Sequence, residues 1–263
     1  MKALRITAFT LVILIAAAGA ALIIFNILDF SIESTRMHPP ATLVYALPIA
    51  AAALAAAFAA AIAFAATGSQ QVLWLGCGAL ALGLGYLIGG WSADNVNTGI
   101  AIRDSTGFIT ALLFLVGASL SLNQRQAVAP NRPARLSTAL WCYLGVAACL
   151  AVIAVLVLKE VLPPFHIIEQ GATALKNNIQ MLSVVFAAAA AIFSLRIYWI
   201  SRQGFAYWHF LGLGLFLLAL FYGSQSTVDS VLSWLGRITM FLSGLYFFVA
   251  AIVLRRESLK SSE

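Results

Sequence analysis

Eight apolar runs occupy nearly the whole chain, at 5–27, 43–67, 72–92, 107–122, 137–158, 178–200, 207–224 and 231–254. A helix needs about 20 mostly apolar residues to cross the hydrocarbon core of a bilayer. Only helices and closed barrels satisfy their own backbone there. The chain therefore reads as an all-α polytopic membrane bundle of eight transmembrane helices. The fourth and seventh runs are the shortest. Residues 1–254 form the membrane domain, and 255–263 read as a polar exit that would link it to an output domain.

Charges between the runs give an orientation. With the N-terminus in the cytoplasm, the inner segments hold Lys2, Arg5, Arg125, Arg132, Arg135, Arg196, Arg202, Arg255, Arg256 and Lys260. The outer segments hold only Arg36, Arg103, Lys159 and Lys176, and Arg237 falls within the last run. Basic residues mark the cytoplasmic side. Seven acidic residues, among them Asp29, Glu33, Asp94, Asp104, Glu160, Glu169 and Asp229, fall outside. Glu257 and Glu263 fall inside. Both termini are thus expected in the cytoplasm and the protein in a cell (inner) membrane.

At 62% hydrophobic and 9% charged residues, the chain leaves no room for a soluble catalytic domain. The net charge of +6 comes from residues at span ends, where they meet anionic lipid. No Lys/Arg-rich run suggests nucleic acid. Cys77, Cys142 and Cys149 all lie inside spans, so no disulfide framework is implied. Cys142 and Cys149 share a helical face and read as small residues in an interface. The start MKALR with its apolar run resembles a secretory signal. The run is longer than a usual signal core, so a retained helix is expected.

Alanine dominates Pro48–Ala66, and Ala187–Ala191 repeats the pattern. Gly85 and Gly89 form a small-xxx-small pair, and Gly244 is a further packing glycine. Small residues let membrane helices approach closely, so helices two, three and six are expected at the centre. Trp91, Trp141, Tyr198, Trp199, Tyr207, Trp208 and Trp234 lie near span ends, as an interfacial aromatic belt would.

Arg237 is the sharpest single feature. It lies six residues into the last span, and a guanidinium at that depth either finds a partner or snorkels to the surface. Asp229 and Glu169 are its candidate counter-charges, and an anion or lipid headgroup is a candidate ligand. With Trp234 and His166 these residues make up the candidate sensing set. His38 and His166, with Glu33 or Glu169, are weak candidates for an outer metal or pH-sensing site. No histidine is placed mid-span, so a two-histidine haem is not expected. No cofactor is implied. Phosphate-loop, zinc-protease and nucleophile-elbow motifs are absent. With no mid-span carboxylate, a proton relay is disfavoured.

From Gly212 to Ser258 the sequence carries Gly223-Ser224, Trp234-Leu235-Gly236-Arg237, Gly244-Leu245-Tyr246 and Arg255-Arg256-Glu257-Ser258. This order resembles the last two helices of the N-terminal membrane-associated sensor module of microbial sensor histidine kinases and PAS-containing signalling proteins. The resemblance implies a non-enzymatic input domain whose last helix relays a cue to a cytoplasmic signalling domain or partner. It also implies dimers. Here the cue would act near the outer leaflet, at Arg237, Asp229 and the 159–178 loop. A small-solute permease and a structural subunit of a larger membrane complex are the alternatives.

Overall fold

The computed structural model describes residues 2–27, 40–92, 96–122, 131–167, 171–225 and 230–260. It contains eight helices: α1 (Lys2–Ile27), α2 (Pro40–Thr67), α3 (Gln70–Trp91), α4 (Val96–Leu122), α5 (Arg132–Leu158), α6 (Ala174–Ser201), α7 (Gly204–Gln225) and α8 (Val231–Lys260). A two-residue antiparallel hairpin joins β1 (His166–Ile167) to β2 (Gly171–Ala172) between α5 and α6. Each helix is long and apolar enough to cross a membrane, which fits a multi-pass membrane protein. At 22 to 30 residues they run about 33–45 Å at helical rise.

Most helices run a few residues past the apolar runs, and the start of α4 differs most. Helix α4 begins at Val96 rather than 107, and α6 at Ala174 rather than 178. In α4, Arg103 and Asp104 interrupt the apolar run, but the helix continues through them. In α6 the N-cap Thr173 accepts a hydrogen bond from Lys176 N, so the helix is capped well before its apolar stretch.

Six helices form a closed ring in which α2, α3, α4, α6, α7 and α8 each pack on the next, and α8 returns to α2. Two tight turns set antiparallel neighbours. Gly68 (φ 72°) and Ser69 join α2 to α3, and Arg202 (φ 53°) ends α6 just before α7. The left-handed backbone at residue 68 suits glycine. Helix α5 packs outside on α2, α3 and α4, and α1 outside on α7 and α8. α2, α3 and α7 are the most enclosed. Helix α6 belongs to the ring but is less buried, so α7 takes the central place expected of it.

Between membrane helices apolar surface supplies little driving force, and close packing with interhelical hydrogen bonds replaces it. Ala53, Ala56, Ala60 and Ala63 on α2 are fully buried. An added Cβ on Gly244 would sit 3.3 Å from Ala53 N, so α8 meets the α2 backbone directly. At the ring's centre Phe114 of α4 packs on Phe216 of α7 (5.4 Å) and Phe247 of α8 (4.7 Å). Thr110 donates to Gly78 O of α3, and Ser243 donates to Gly212 O of α7. Tyr143 donates to Ala57 O (2.7 Å) and seats α5 on α2. Tyr222 and Tyr246 donate to Ile15 O and Ala8 O, tying α1 to the ring.

Cys77 lies beside Cys142 in the α3–α5 interface, while Cys149 is exposed. Trp91 and Trp199 are exposed at helix ends, as a belt requires, and Trp141 is exposed nine residues into α5. Tyr207 and Trp208 are instead buried in the core.

Candidate functional site

The end of the bundle carrying the β-hairpin holds a layer of polar and aromatic side chains from α2, α3, α4 and α8. Tyr45 is five residues into α2, Arg103 seven into α4 and Arg237 six into α8. At 1.5 Å per residue they lie about 7–11 Å in from their helix ends. These helices are ring neighbours, so equal depth brings the side chains together.

Tyr45 is the hub. Arg103 Nη1 donates to its hydroxyl (2.6 Å), and Arg237 Cζ lies 4.0 Å from its ring centre. Arg237 also lies 4.6 Å from the Trp234 ring, and Trp234 meets Tyr45 edge-on at 5.7 Å. Arg103 Cζ is 6.0 Å from the Tyr45 ring centre. With Arg237 at 4.0 Å from that same point, the two guanidinium carbons are no more than 10 Å apart. Tyr86 of α3 lies within electrostatic reach of both arginines.

The backbone of α3 makes room for this layer. An added Cβ on Gly89 would fall 2.9 Å from Arg103 Cγ, and one on Gly85 would overlap Thr106 of α4. The small-residue pair therefore does more than bring two helices together. At Gly89 it admits the stem of a charged side chain, whose Nε then donates to Gly99 O (3.0 Å) in its own helix.

Asp104 turns toward α6. Gln180 Nε2 donates to its carboxylate oxygens at 3.2 and 3.3 Å, with Lys176 nearby. This carboxylate lies inside α4, about 12 Å from its start, where the sequence reading placed an outer loop. Among the described residues Arg103 bonds no carboxylate.

Of the expected sensing residues, the structure brings Arg237 and Trp234 together. Asp229, Glu169 and His38 lie outside the described residues. His166 is in the hairpin, which packs on α4, where Asn97 Oδ1 accepts from Phe165 N (2.8 Å) and His166 N (2.9 Å). Phe165 is buried against Ile100, Ile102, Ala154 and Val157. No hydrogen bond or ring contact joins His166 to Trp234 or Arg237 among the described residues. Its Nδ1 is buried without a hydrogen-bond partner among them. No group of three or more metal-ligating side chains occurs among the described residues.

Sequence reading missed Tyr45 and Tyr86, and it placed Arg103 in an outer segment between spans rather than inside a helix. A charge adjacent to a Gly-rich partner helix was the available signal. It also missed His209, which lies buried five residues into α7. Its Nδ1 is 3.2 Å from Gln71 Nε2 and 3.3 Å from Ser194 Oγ. Nδ1 is thus the bonded nitrogen of the ring, and Nε2 is buried without a hydrogen-bond partner among the described residues. Phe205 stacks on the ring at 5.5 Å. This node fastens α3, α6 and α7 at the end opposite the hairpin.

At that opposite end α8 is also held. Glu257 Oε1 accepts from Gly204 N (3.0 Å), the first residue of α7. A carboxylate there satisfies an orphan donor and complements the helix dipole. A Cβ on Gly204 would come within 2.6 Å of that oxygen and 3.1 Å of an Arg5 nitrogen. Three helix ends therefore meet at one glycine.

These features define a helical bundle of membrane-spanning type with a two-arginine aromatic cluster at one end. No protein-family model matches the chain, and no curated protein or solved structure matches it.

Proposed function

We propose that the chain is a membrane-embedded signal-input domain, with the hairpin end outward and both termini in the cytoplasm. The observation that carries this reading is the run of one uninterrupted helix between two distinct sites. α8 holds Trp234 and Arg237 in the hairpin-end cluster. About 30 Å further along it holds Arg255, Arg256 and Glu257, where Glu257 rests on the start of α7. A cue that alters the Tyr45–Arg237 contact tilts or turns a rigid rod, and its far end moves against α7. Mechanistically this is a population shift between two packings, biased by whatever binds one of them better. The basic count of the intervening segments supports the orientation. The Gly212–Ser258 sequence pattern supports the class. The phenylalanine-filled ring centre supports a relay over a permease, which needs a polar route to the midplane.

The test joins the full chain through residue 260 to a cytoplasmic kinase or reporter output and compares wild type with Arg237→Ala. Output is expected to lock in one state in the variant. Output identical to wild type under every condition that switches the parent would sink the reading. Cysteine labelling at position 203 from the cytoplasmic side checks the orientation.

A further inference from the structure

Arg103 is the part of the hairpin-end cluster that internal contacts leave incomplete. It sits inside α4, its stem crosses α3 at Gly89, and two of its nitrogens are committed: Nε to Gly99 O and Nη1 to Tyr45 Oη. Both acceptors are neutral. The neighbouring carboxylate, Asp104, is within electrostatic reach of Arg103 but accepts its hydrogen bonds from Gln180 of α6. Among the described residues no hydrogen bond reaches Arg103 Nη2 and no ion pair reaches the group. A guanidinium at this depth is costly and is met by carbonyls or by opposite charge, and the only carboxylate in reach among the described residues is committed elsewhere. Fixed by two bonds, its remaining edge is a preorganised fork of the kind that matches a carboxylate or phosphate. The Arg237 charge lies within 10 Å, against the ring of the same Tyr45.

We propose that Arg103, together with Arg237 across Tyr45, forms a binding site for a phosphate-class oxyanion. The ligand is supplied either as the headgroup of an anionic phospholipid or as a free ion. The proposal rests on reading this cluster as the input site and names the chemistry of its cue. The depth of about 7–11 Å from the helix ends is where a lipid phosphate meets a spanning helix. A free ion would enter past Trp234 from the hairpin end. Tyr45 couples the two cations, since its hydroxyl is held by one and its ring face by the other. An anion drawn onto Arg103 therefore reorients the ring against which α8 packs.

The experiment uses the full-length protein purified in a neutral detergent. Native mass spectrometry reads retention of phosphatidylglycerol against phosphatidylcholine of the same chains, and a separate titration uses inorganic phosphate. Wild type is expected to prefer phosphatidylglycerol at least tenfold, or to bind phosphate saturably. The first result assigns the headgroup and the second the free ion. Arg103→Gln is expected to lower the preferred interaction at least tenfold, which is about 1.4 kcal/mol. Arg103→Lys, which keeps the charge and loses the fork, should fall between. Equal retention of the two lipids with no phosphate binding by wild type overturns the proposal without recourse to any variant. Undiminished binding by a folded Arg103→Gln overturns it as well. Loss of switching in Arg237→Ala alongside absent anion binding would sink this inference alone, and intact anion binding with an indifferent α8 would sink the relay alone.

Discussion

Gly85→Ala tests whether α3 and α4 are held at their observed separation by a missing methyl group. A Cβ at position 85 would lie 2.5 Å from Thr106 Cβ and 2.7 Å from its Cγ2. Thr106 Cβ is bonded to the α4 backbone, so no rotamer change relieves the contact, and the two helices must part. Overpacking of this kind costs about 1–3 kcal/mol. Alanine also gains about 0.8–1 kcal/mol of helix propensity over glycine. Gly145→Ala in α5 shares that gain, and a Cβ there meets nothing within 4 Å. The gap between the two variants thus isolates packing, at about 1–3 kcal/mol. Both are measured by thermal unfolding in the same detergent, followed by size exclusion. Gly145→Ala is expected to match or slightly exceed wild type, with Gly85→Ala below it by that gap. Adding Thr106→Gly to Gly85→Ala removes the obstructing atom and should recover part of the loss, whereas Thr106→Ser should not. Indistinguishable midpoints for the two alanine variants would refute the close approach of α3 to α4.

Phe247→Ala opens the ring's aromatic centre against Phe114 and is expected to cost about 3–5 kcal/mol in the same unfolding assay. Tyr222→Phe removes the hydroxyl bonded to Ile15 O. A loss of about 0.5–1.5 kcal/mol should appear as faster hydrogen exchange in α1, with α3 and α7 unaffected. Asn97→Ala leaves the Phe165 and His166 amides without their shared acceptor. Protease cleavage between 161 and 173 should then rise severalfold, while the rest of the bundle stays intact.

The eight helices were legible because apolar runs of spanning length have few alternatives in hydrocarbon. The start of α4 was not legible. Arg103 and Asp104 look like a loop when charge alone is weighed, and only a facing glycine on α3 and Gln180 on α6 make them tolerable inside a helix. Gly85 and Gly89 were readable as packing residues, but nothing in their spacing names Thr106 or Arg103 as what they admit. Arg237 was conspicuous because it stands alone in an apolar run, and the structure does place it in the cluster. Its partner Tyr45 was hidden, since a tyrosine in an alanine-rich span carries no distinctive signal. His209 was not singled out, since its run shows nothing of the ring interior, where Gln71 and Ser194 reach it. The alanine runs of α2 and α6 look alike in sequence. Their burial differs because α2 has α5 packed on its outer side and α6 does not.

Ring closure has a consequence for biosynthesis. The seam between α2 and α8 joins segments far apart in the order of synthesis, as Ala53 and Gly244 are, and contacts so distant form late. Until α8 is inserted, the alanine seam of α2 lies open along the side of a half-built barrel of helices. A stalled or truncated nascent chain would present that open flank to membrane proteases, so α8 acts as the keystone whose arrival marks the assembly as finished.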